Sequence, residues 1–199
     1  ESAETAEAAD LAWAAAQGAD IAGRPLGAAQ REHPRPTAPH LALWQATSVL
    51  REHRGDGHIA VLVAGGISPI QAHLIKVGAG EVDDAVLRTA RGFPDTDWTA
   101  ARAQLQDEGL LDAHGKLTER GAAEHDRIEQ ATDAAAAQPW QRLGRADTER
   151  LLALLCPLAK TMMASAALPT PSPVGLAFDP DCRHDAVRSA DRPPAATPG

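Results

Sequence analysis

Aromatic side chains are scarce in this chain of 199 residues: they make up 3% of it, with four tryptophans, two phenylalanines and no tyrosine. A wide β-sandwich core draws on aromatic and β-branched side chains, so this scarcity argues against that architecture. Alanine is abundant instead, with 43 copies, and alanine is the strongest helix former. We therefore expect an interior built from close-packed helices.

Cysteines, long apolar runs and glycine-rich nucleotide motifs are also few or missing. Cys156 and Cys182 have neither the number nor the spacing of a disulfide framework or a zinc site, so we expect two reduced thiols. No apolar run approaches 18 residues, and the segment after Glu1 lacks the pattern of a signal peptide. No dinucleotide fingerprint or phosphate loop occurs. These absences predict a cytoplasmic protein with no cofactor and no metal. The chain does not begin with Met, and we therefore expect it to be part of a longer product.

Basic charge is in short supply. The chain has 19 Lys and Arg against 27 Asp and Glu, which gives a formal net charge of −8. Between residues 81 and 133 we count 13 acidic and six basic side chains, a local balance of −7. Proteins that bind nucleic acid nonspecifically need a basic surface that displaces counterions from the phosphates. General polyanion binding is therefore disfavoured.

The first part of the chain alternates helical patterns with breaks. Residues 6–19 form an Ala-rich helical pattern, and the four prolines within residues 23–39 indicate a linker. Residues 40–53 and 58–64 then predict two helices. Two glycines within residues 54–57 favour a tight turn between them.

The middle of the chain predicts two helices joined by a short turn, followed by a hairpin. Helical spacing covers residues 81–90 and 97–108, with a glycine and a proline between them. Residues 110–118 hold two short extended runs around a glycine, which is the pattern of a β-hairpin. Thr118 then caps a long helix that ends near residue 137, and a last helix covers about residues 147–167.

This order of elements resembles the winged-helix module of MarR-like bacterial regulators. The motifs that carry the resemblance are QDEGLL at residues 106–111 and KLTERG at residues 116–121. Residues 41–176 are, more closely, similar to an uncharacterised actinobacterial family with MarR-like winged helices. That second resemblance rests on LREHRGDGH at residues 50–58, TARGF at 89–93, IExxTD at 128–133 and PW at 139–140.

The fold class expected from these patterns is mainly α: a multi-helix domain with a winged helix-turn-helix and one short β-hairpin wing. We expect four regions along the chain. They are an N-terminal Ala-rich helix with a Pro-rich linker (1–39), the winged-helix domain (40–137), a C-terminal helix with a Pro-rich segment (138–178) and a disordered tail (179–199).

The resemblance implies that the helix at residues 97–108 enters a major groove while the hairpin contacts the DNA backbone. The basic residues available for this role are Arg88, Arg91, Arg102 and Lys116. Their acidic surroundings argue against a simple version of this interpretation, because base and phosphate contacts normally draw on several Arg, Lys, Asn or Gln. A winged helix that serves only as a packing scaffold remains the alternative.

Residues 51–58 concentrate six ionisable side chains in eight positions. Two arginines there can clamp a carboxylate or phosphate, two histidines can supply pH-sensitive hydrogen bonds, and an aspartate can orient them. The predicted ligand-binding residues are Trp44, Arg51, His53, Arg54, Asp56 and His58. The alternative is an exposed turn whose charges pair locally.

The sequence thus predicts a MarR-like regulator of transcription that binds a small anionic or aromatic ligand, with DNA as a further partner and a homodimer formed through the terminal helices. The alternative from another class is a non-DNA-binding enzyme or ligand-binding protein of specialised metabolism that uses residues 51–58. A third is an interaction module whose acidic face contacts a protein. No catalytic residue is predicted, and no membrane partner is expected.

Overall fold

A computed structural model describes residues 2–165, and this part of the chain is mainly helical, as predicted. Its α-helices are, in chain order, α1 (Ala3–Gly18), α2 (Pro25–Arg31), α3 (Pro39–Ala64), α4 (Pro69–Gly78), α5 (Asp84–Arg91), α6 (Asp95–Asp107), α7 (Glu119–Ala136), α8 (Gln138–Leu143) and α9 (Arg145–Ala164). The predicted tail at residues 179–199 lies outside the described residues.

The segment predicted as a hairpin wing forms a tight turn instead. A single isolated antiparallel bridge joins Leu111 and Leu117, and no β-strand occurs within residues 2–165. The amide of Asp112 donates to the carbonyl of Lys116 at 2.8 Å, while the Asp112 carboxylate accepts from the Lys116 amide at 2.9 Å, which lowers the pKa of that carboxyl group. The extended runs are too short for a ladder, because Thr118 already caps α7. The predicted wing is therefore wrong.

Helix α3 continues without a break through the segment predicted as a turn, so that prediction is also wrong. Gly57 serves packing rather than chain reversal. A Cβ atom on Gly57 would lie 2.6 Å from Nη1 of Arg24 and 3.3 Å from Cβ of Ala135. The Arg24 guanidinium donates there to the carbonyl of His53 and, at 2.6 Å, to the carbonyl of Ala135. These tertiary contacts offset the cost of about 1 kcal/mol for a glycine inside a helix.

Gly55→Ala and Gly57→Ala should change stability in opposite directions. A Cβ on Gly55 would contact only the Glu52 carboxylate, at 3.8 Å. We expect Gly55→Ala to raise the free energy of unfolding by about 0.5–1 kcal/mol through helix propensity. Gly57→Ala should lower it by about 1 kcal/mol, because the Arg24 hydrogen bonds that it displaces outweigh the propensity gain. Urea unfolding measures both values, and equal stabilisation by the two variants would contradict the packing role of Gly57.

The buried apolar residues form two clusters that α3 connects. The first surrounds α4 to α7 and consists of Leu62, Leu74, Ile75, Val82, Leu87, Trp98, Leu105, Leu110, Leu111 and Ile128. The second joins α1, α3 and α9 and consists of Ala8, Ala12, Ala16, Ala46, Val49, Leu151 and Leu154. Alanine lets the helices of the second cluster approach closely, which agrees with the composition. Because α3 contributes to both clusters, a change along it affects both halves.

The segment predicted as a linker contains α2, which packs on α3. The amide of Gly27 in α2 donates to the Asp56 carboxylate of α3 at 2.8 Å. This contact ties the N-terminal part of the chain to the centre of the fold.

Two further findings concern Cys156 and the hydropathy of the helices. Cys156 is disulfide-bonded, so the expectation of a reduced thiol is wrong for this residue. In the described part of the chain no single helix has the length and hydropathy to cross a membrane; α3 and α4 reach that threshold only as a pair bent by 98°.

Candidate functional site

The helix-turn-helix unit consists of α5, the following turn and α6. Asp83 caps α5 by accepting hydrogen bonds from the amides of Ala85 and Val86 at 2.9 and 3.1 Å. Gly92 ends α5 in the left-handed conformation, with φ of 65°, and α6 begins at Asp95. The predicted pair of helices with a short turn is therefore confirmed.

Asp84 holds α5 and α6 together and uses two of the predicted DNA-binding arginines to do so. Its Oδ1 accepts from Nε1 of Trp98 at 3.0 Å and from Nη2 of Arg102 at 2.7 Å. Arg88 lies 4.0 Å from the same carboxylate and also pairs with Asp95. The charges of both arginines are thus compensated within the unit.

The outer face of α6 is acidic at its ends and uncharged at its centre. Its exposed residues are Asp95, Thr96, Asp97, Thr99, Ala100, Ala103, Gln104 and Asp107. They include three carboxylates and no cation, and the Gln104 amide donates to the Glu108 carboxylate at 2.9 Å. We call Thr99, Ala100 and Ala103 the central patch of α6. This face repels phosphate groups at both ends of the helix.

Arg91 and Lys116, the other two predicted DNA-binding residues, are exposed. Neither forms an ion pair with any residue among those described, 2–165. Arg91 ends α5 and Lys116 lies in the turn before α7. Both charges are available to a partner.

The residues predicted as a ligand-binding turn are distributed around α3. Trp44 lies on the outside of the helix with 71% of its surface exposed. The Arg51 side chain is 78% exposed and the Arg54 side chain 47%. A helix directs successive side chains to different faces, so the six predicted residues do not all meet at one site as they would in a turn.

Asp56 and His58 pack neighbouring elements onto α3. Asp56 is buried and accepts the amide of Gly27 in α2. Nδ1 of His58 lies 3.0 Å from Oγ1 of Thr132, whose hydroxyl donates to the Ile128 carbonyl at 2.8 Å, so the imidazole is the donor. Burial lowers the pKa of His58 and favours its neutral form.

A cavity of about 280 Å³ lies where α3 meets the end of α7 and α8. It is lined by Thr47, Leu50, Arg51, His53, Arg54, Ala136, Pro139 and Trp140. Arg51, His53 and Arg54 are the predicted ligand-binding residues that the structure brings together here. The other three lie outside this cavity. We call it the α3–α8 cavity.

His53 is the buried polar member of the cavity wall. It is 2% exposed, and its Nε2 atom is buried without a hydrogen-bond partner among the described residues. The Asp20 backbone lies near the ring, where it acts to raise the pKa of the imidazole. Burial and, after it, the nearby Arg24 charge lower the pKa of His53. The neutral imidazole therefore carries an unused acceptor or donor nitrogen at this site.

Sequence reasoning missed the apolar wall formed by Pro139 and Trp140. The sequence signal was the Pro-Trp pair itself, which entered the sequence analysis only as a motif of family resemblance; Trp140 is 38% exposed. Contact with α3 could not be inferred, since these residues are far apart in the chain.

A second cavity, of about 470 Å³, lies beside α7 and has two basic and two acidic side chains among its mixed polar and apolar lining. Arg120 and Arg127 line it together with Glu108 and Glu124. Arg127 donates to both oxygens of Glu124, at 2.9 and 2.6 Å. Across residues 2–165, no group of three or more His, Cys, Asp or Glu side chains is arranged to hold a metal ion.

Comparison with protein families matches residues 1–169 to a group described as a helix-turn-helix family. No curated protein and no solved structure matches the chain. The match includes both the α5–α6 unit and the helices that surround the α3–α8 cavity.

Proposed function

The chain belongs to a helix-turn-helix family, and from that premise we propose that it is a transcriptional regulator of the MarR-like type, which acts in the bacterial cytoplasm, contacts DNA through α5 and α6, and responds to a small molecule. The observation that carries this proposal is the central patch of α6 together with the exposed cations Arg91 and Lys116, which form no ion pair within residues 2–165. Asp84 on α5 accepts hydrogen bonds from Trp98 and Arg102 on α6, and these bonds orient the surface of α6 relative to α5.

The central patch has the chemistry of a base-reading surface. Threonine hydroxyls hydrogen-bond to base edges, and the methyl groups of alanine contact the methyl group of thymine. Arg91 and Lys116 contact phosphates and so position the helix without reading sequence. The carboxylates at both ends of α6 lower affinity for DNA in general and make binding depend on the fit of the patch.

DNA binding should show a shallow salt dependence. If a duplex holds two copies of the chain, Arg91 and Lys116 together neutralise four phosphates, and the slope of log K against log salt should be about −4. The experiment selects bound duplexes from a random-sequence pool at low salt and then measures the enriched duplex by fluorescence anisotropy. Arg91→Ala combined with Lys116→Ala should weaken binding by about tenfold or more and flatten the slope.

Lys160→Ala is the matched control, because Lys160 is an exposed lysine on α9, away from the helix-turn-helix unit. It should leave both affinity and slope unchanged. Failure to enrich any duplex at low salt would remove DNA binding from the proposal, and an equal effect of the control would remove Arg91 and Lys116 from the interface.

The second candidate is a ligand-binding protein or enzyme of specialised metabolism that keeps this scaffold and does not bind DNA. The observation that favours it is the set of three exposed carboxylates on α6. Under this alternative no duplex is enriched at any salt concentration, whereas small-molecule binding persists in the absence of DNA.

A further inference from the structure

The second half of α9 projects from the rest of the helices. Among residues 2–165, no α9 residue after Leu155 belongs to either apolar cluster, and Ala159 is the only member of residues 157–165 that is not exposed. Pro157 in this stretch also lacks the amide that completes a helical hydrogen bond. A helix this short is marginal in water by itself, because tertiary packing supplies most helical stability. This part of α9 therefore needs a further contact.

One side of α9 from Leu152 onwards is apolar and exposed. We call Leu152, Leu158, Met162 and Met163 the α9 patch; the exposed fractions of these residues range from 36% for Met163 to 52% for Met162. Cys156 lies within the patch, since it is four residues after Leu152 and seven before Met163, which is the spacing of one helix face. The apolar side of an amphipathic helix is normally covered by another segment.

The disulfide bond of Cys156 identifies the segment that can cover the patch. Cys156 is disulfide-bonded, and the chain has only one other cysteine, Cys182. A disulfide holds the two Cα atoms within about 7 Å of each other. A chain segment that ends at Cys182 is thus available as the occupant.

Residues 166–181 have the length that this contact requires. The nine residues from Cys156 to Ser165 follow a helix and span about 14 Å. The 16 residues that connect Ser165 to Cys182 can extend over roughly 50 Å. The chain can therefore return from the end of α9 to Cys156 and lie along the patch on the way.

The same residues also have a composition that matches this side of α9. Asp179 and Asp181 come just before Cys182, while the exposed Lys160 lies one turn after Cys156, so opposite charges accompany the disulfide on its two sides. The large apolar side chains of the segment are Leu168, Val174, Leu176 and Phe178. Apolar surface on both partners favours their association, because burial removes it from water.

We propose that residues 166–181 return along α9 and cover the α9 patch, held there by a disulfide between Cys156 and Cys182. The four residues from Phe178 to Cys182 span roughly 13 Å when extended, and the seven helical residues from Cys156 to Met163 span about 10 Å. Phe178 therefore packs on Met163. This inference goes beyond the proposed function and does not depend on DNA binding.

The first test establishes the partner of Cys156 in the full chain. The protein is incubated with glutathione disulfide, and two protein thiols and one glutathione disulfide then give one protein disulfide and two glutathione molecules. Peptide mapping by mass spectrometry without reduction should find Cys156 joined to Cys182 in a monomer. A free Cys156 thiol, or a dimer joined through Cys156 of two copies, overturns the proposal.

The second test asks whether the segment covers the patch. The chain has two methionines, Met162 and Met163, and both belong to the α9 patch, so methyl-labelled methionine gives NMR signals from this surface alone. In the oxidised chain we expect a nuclear Overhauser effect between the Met163 methyl group and the ring protons of Phe178. Phe178→Leu should abolish this effect and shift the Met163 signal, because it removes the aromatic ring.

Val187→Leu is the matched control, because it changes an apolar residue beyond Cys182 and outside the covering segment. It should leave the signals of Met162 and Met163 unchanged. Absence of the Overhauser effect in the oxidised parent chain overturns the proposal, and so do equal effects of the two variants on the Met163 signal.

Discussion

Gly121→Ala is expected to lower the free energy of unfolding by about 3–4 kcal/mol. Gly121 lies in the first turn of α7, where a Cβ atom would overlap the carbonyl oxygen of Leu110 and lie 2.9 Å from its carbonyl carbon. Both atoms belong to the backbone and are fixed by the amide of Thr118, which donates to the same carbonyl at 3.1 Å. Relief of the overlap must therefore separate α7 from the turn after α6.

The substitution Gly121→Ala also weakens the N-terminal cap of α7. The amide of Gly121 donates to the Thr118 hydroxyl at 3.0 Å, and a shift of the helix start breaks this hydrogen bond as well. Urea unfolding followed by circular dichroism measures the change. Gly55→Ala is the matched control, because it makes the same substitution where the new methyl group has space. A Gly121→Ala protein as stable as the parent would disprove the close approach of these two segments.

Trp98→Ala should cost about 3–5 kcal/mol. Trp98 is 2% exposed and is the largest side chain in the cluster that holds α4 to α7 together. It lies against Phe93 with ring centroids 6.3 Å apart, and its Nε1 donates to Asp84 at 3.0 Å. Truncation leaves a cavity and also removes one of the groups that orient the Asp84 carboxylate.

Two further tryptophan variants separate these contributions. Trp98→Phe keeps most of the ring but loses the Nε1 donor, and we expect a cost of about 1–2 kcal/mol. Trp44→Ala should change stability by less than about 0.5 kcal/mol, because Trp44 is 71% exposed. Chemical denaturation of the three proteins provides the comparison. Equal costs for Trp98→Ala and Trp44→Ala would contradict the assignment of Trp98 to the core.

Local sequence patterns were sufficient to predict a helix end where that end depends on residues close to it in the chain. Thr118 was expected to cap a long helix, and its hydroxyl does accept the amide of Gly121 at the start of α7. The two helices around Gly92 follow from helical spacing and a glycine that ends the first of them. In each case the decisive contact spans three or four residues, which the sequence displays directly.

Local patterns failed where a distant segment supplies the deciding contact. The segment at residues 54–57 has the composition of a turn, yet α3 continues through it, and Arg24 and Ala135 occupy the space beside Gly57. The extended runs around Gly115 have the pattern of a hairpin, yet they form one bridge because the second run immediately becomes the cap of α7. Neither outcome is visible in the residues of the segment itself.

At the candidate site, too, the sequence shows which residue types are present, whereas the tertiary contacts decide which of them lie together. Of the ligand-binding residues predicted from the concentration of charge at residues 51–58, Arg51, His53 and Arg54 line one cavity, and their role in binding stays a prediction. The sequence did not distinguish these three residues from Asp56 and His58, whose polar atoms form hydrogen bonds with α2 and α7. The four basic residues near the helix-turn-helix unit likewise looked equivalent until Asp84 and Asp95 were found beside two of them.

The amino-acid sequence by itself determined the helical composition, the helix-turn-helix order and the overall acidity of this protein, because each is a property of composition or of contacts along a few residues. Only the tertiary structure decided that α3 is continuous, that Arg88 and Arg102 are compensated, and that Trp140 rather than Trp44 lines a cavity together with His53. The physical reason is that packing and charge pairing depend on which distant side chains occupy the same space, and that information resides in the folded chain.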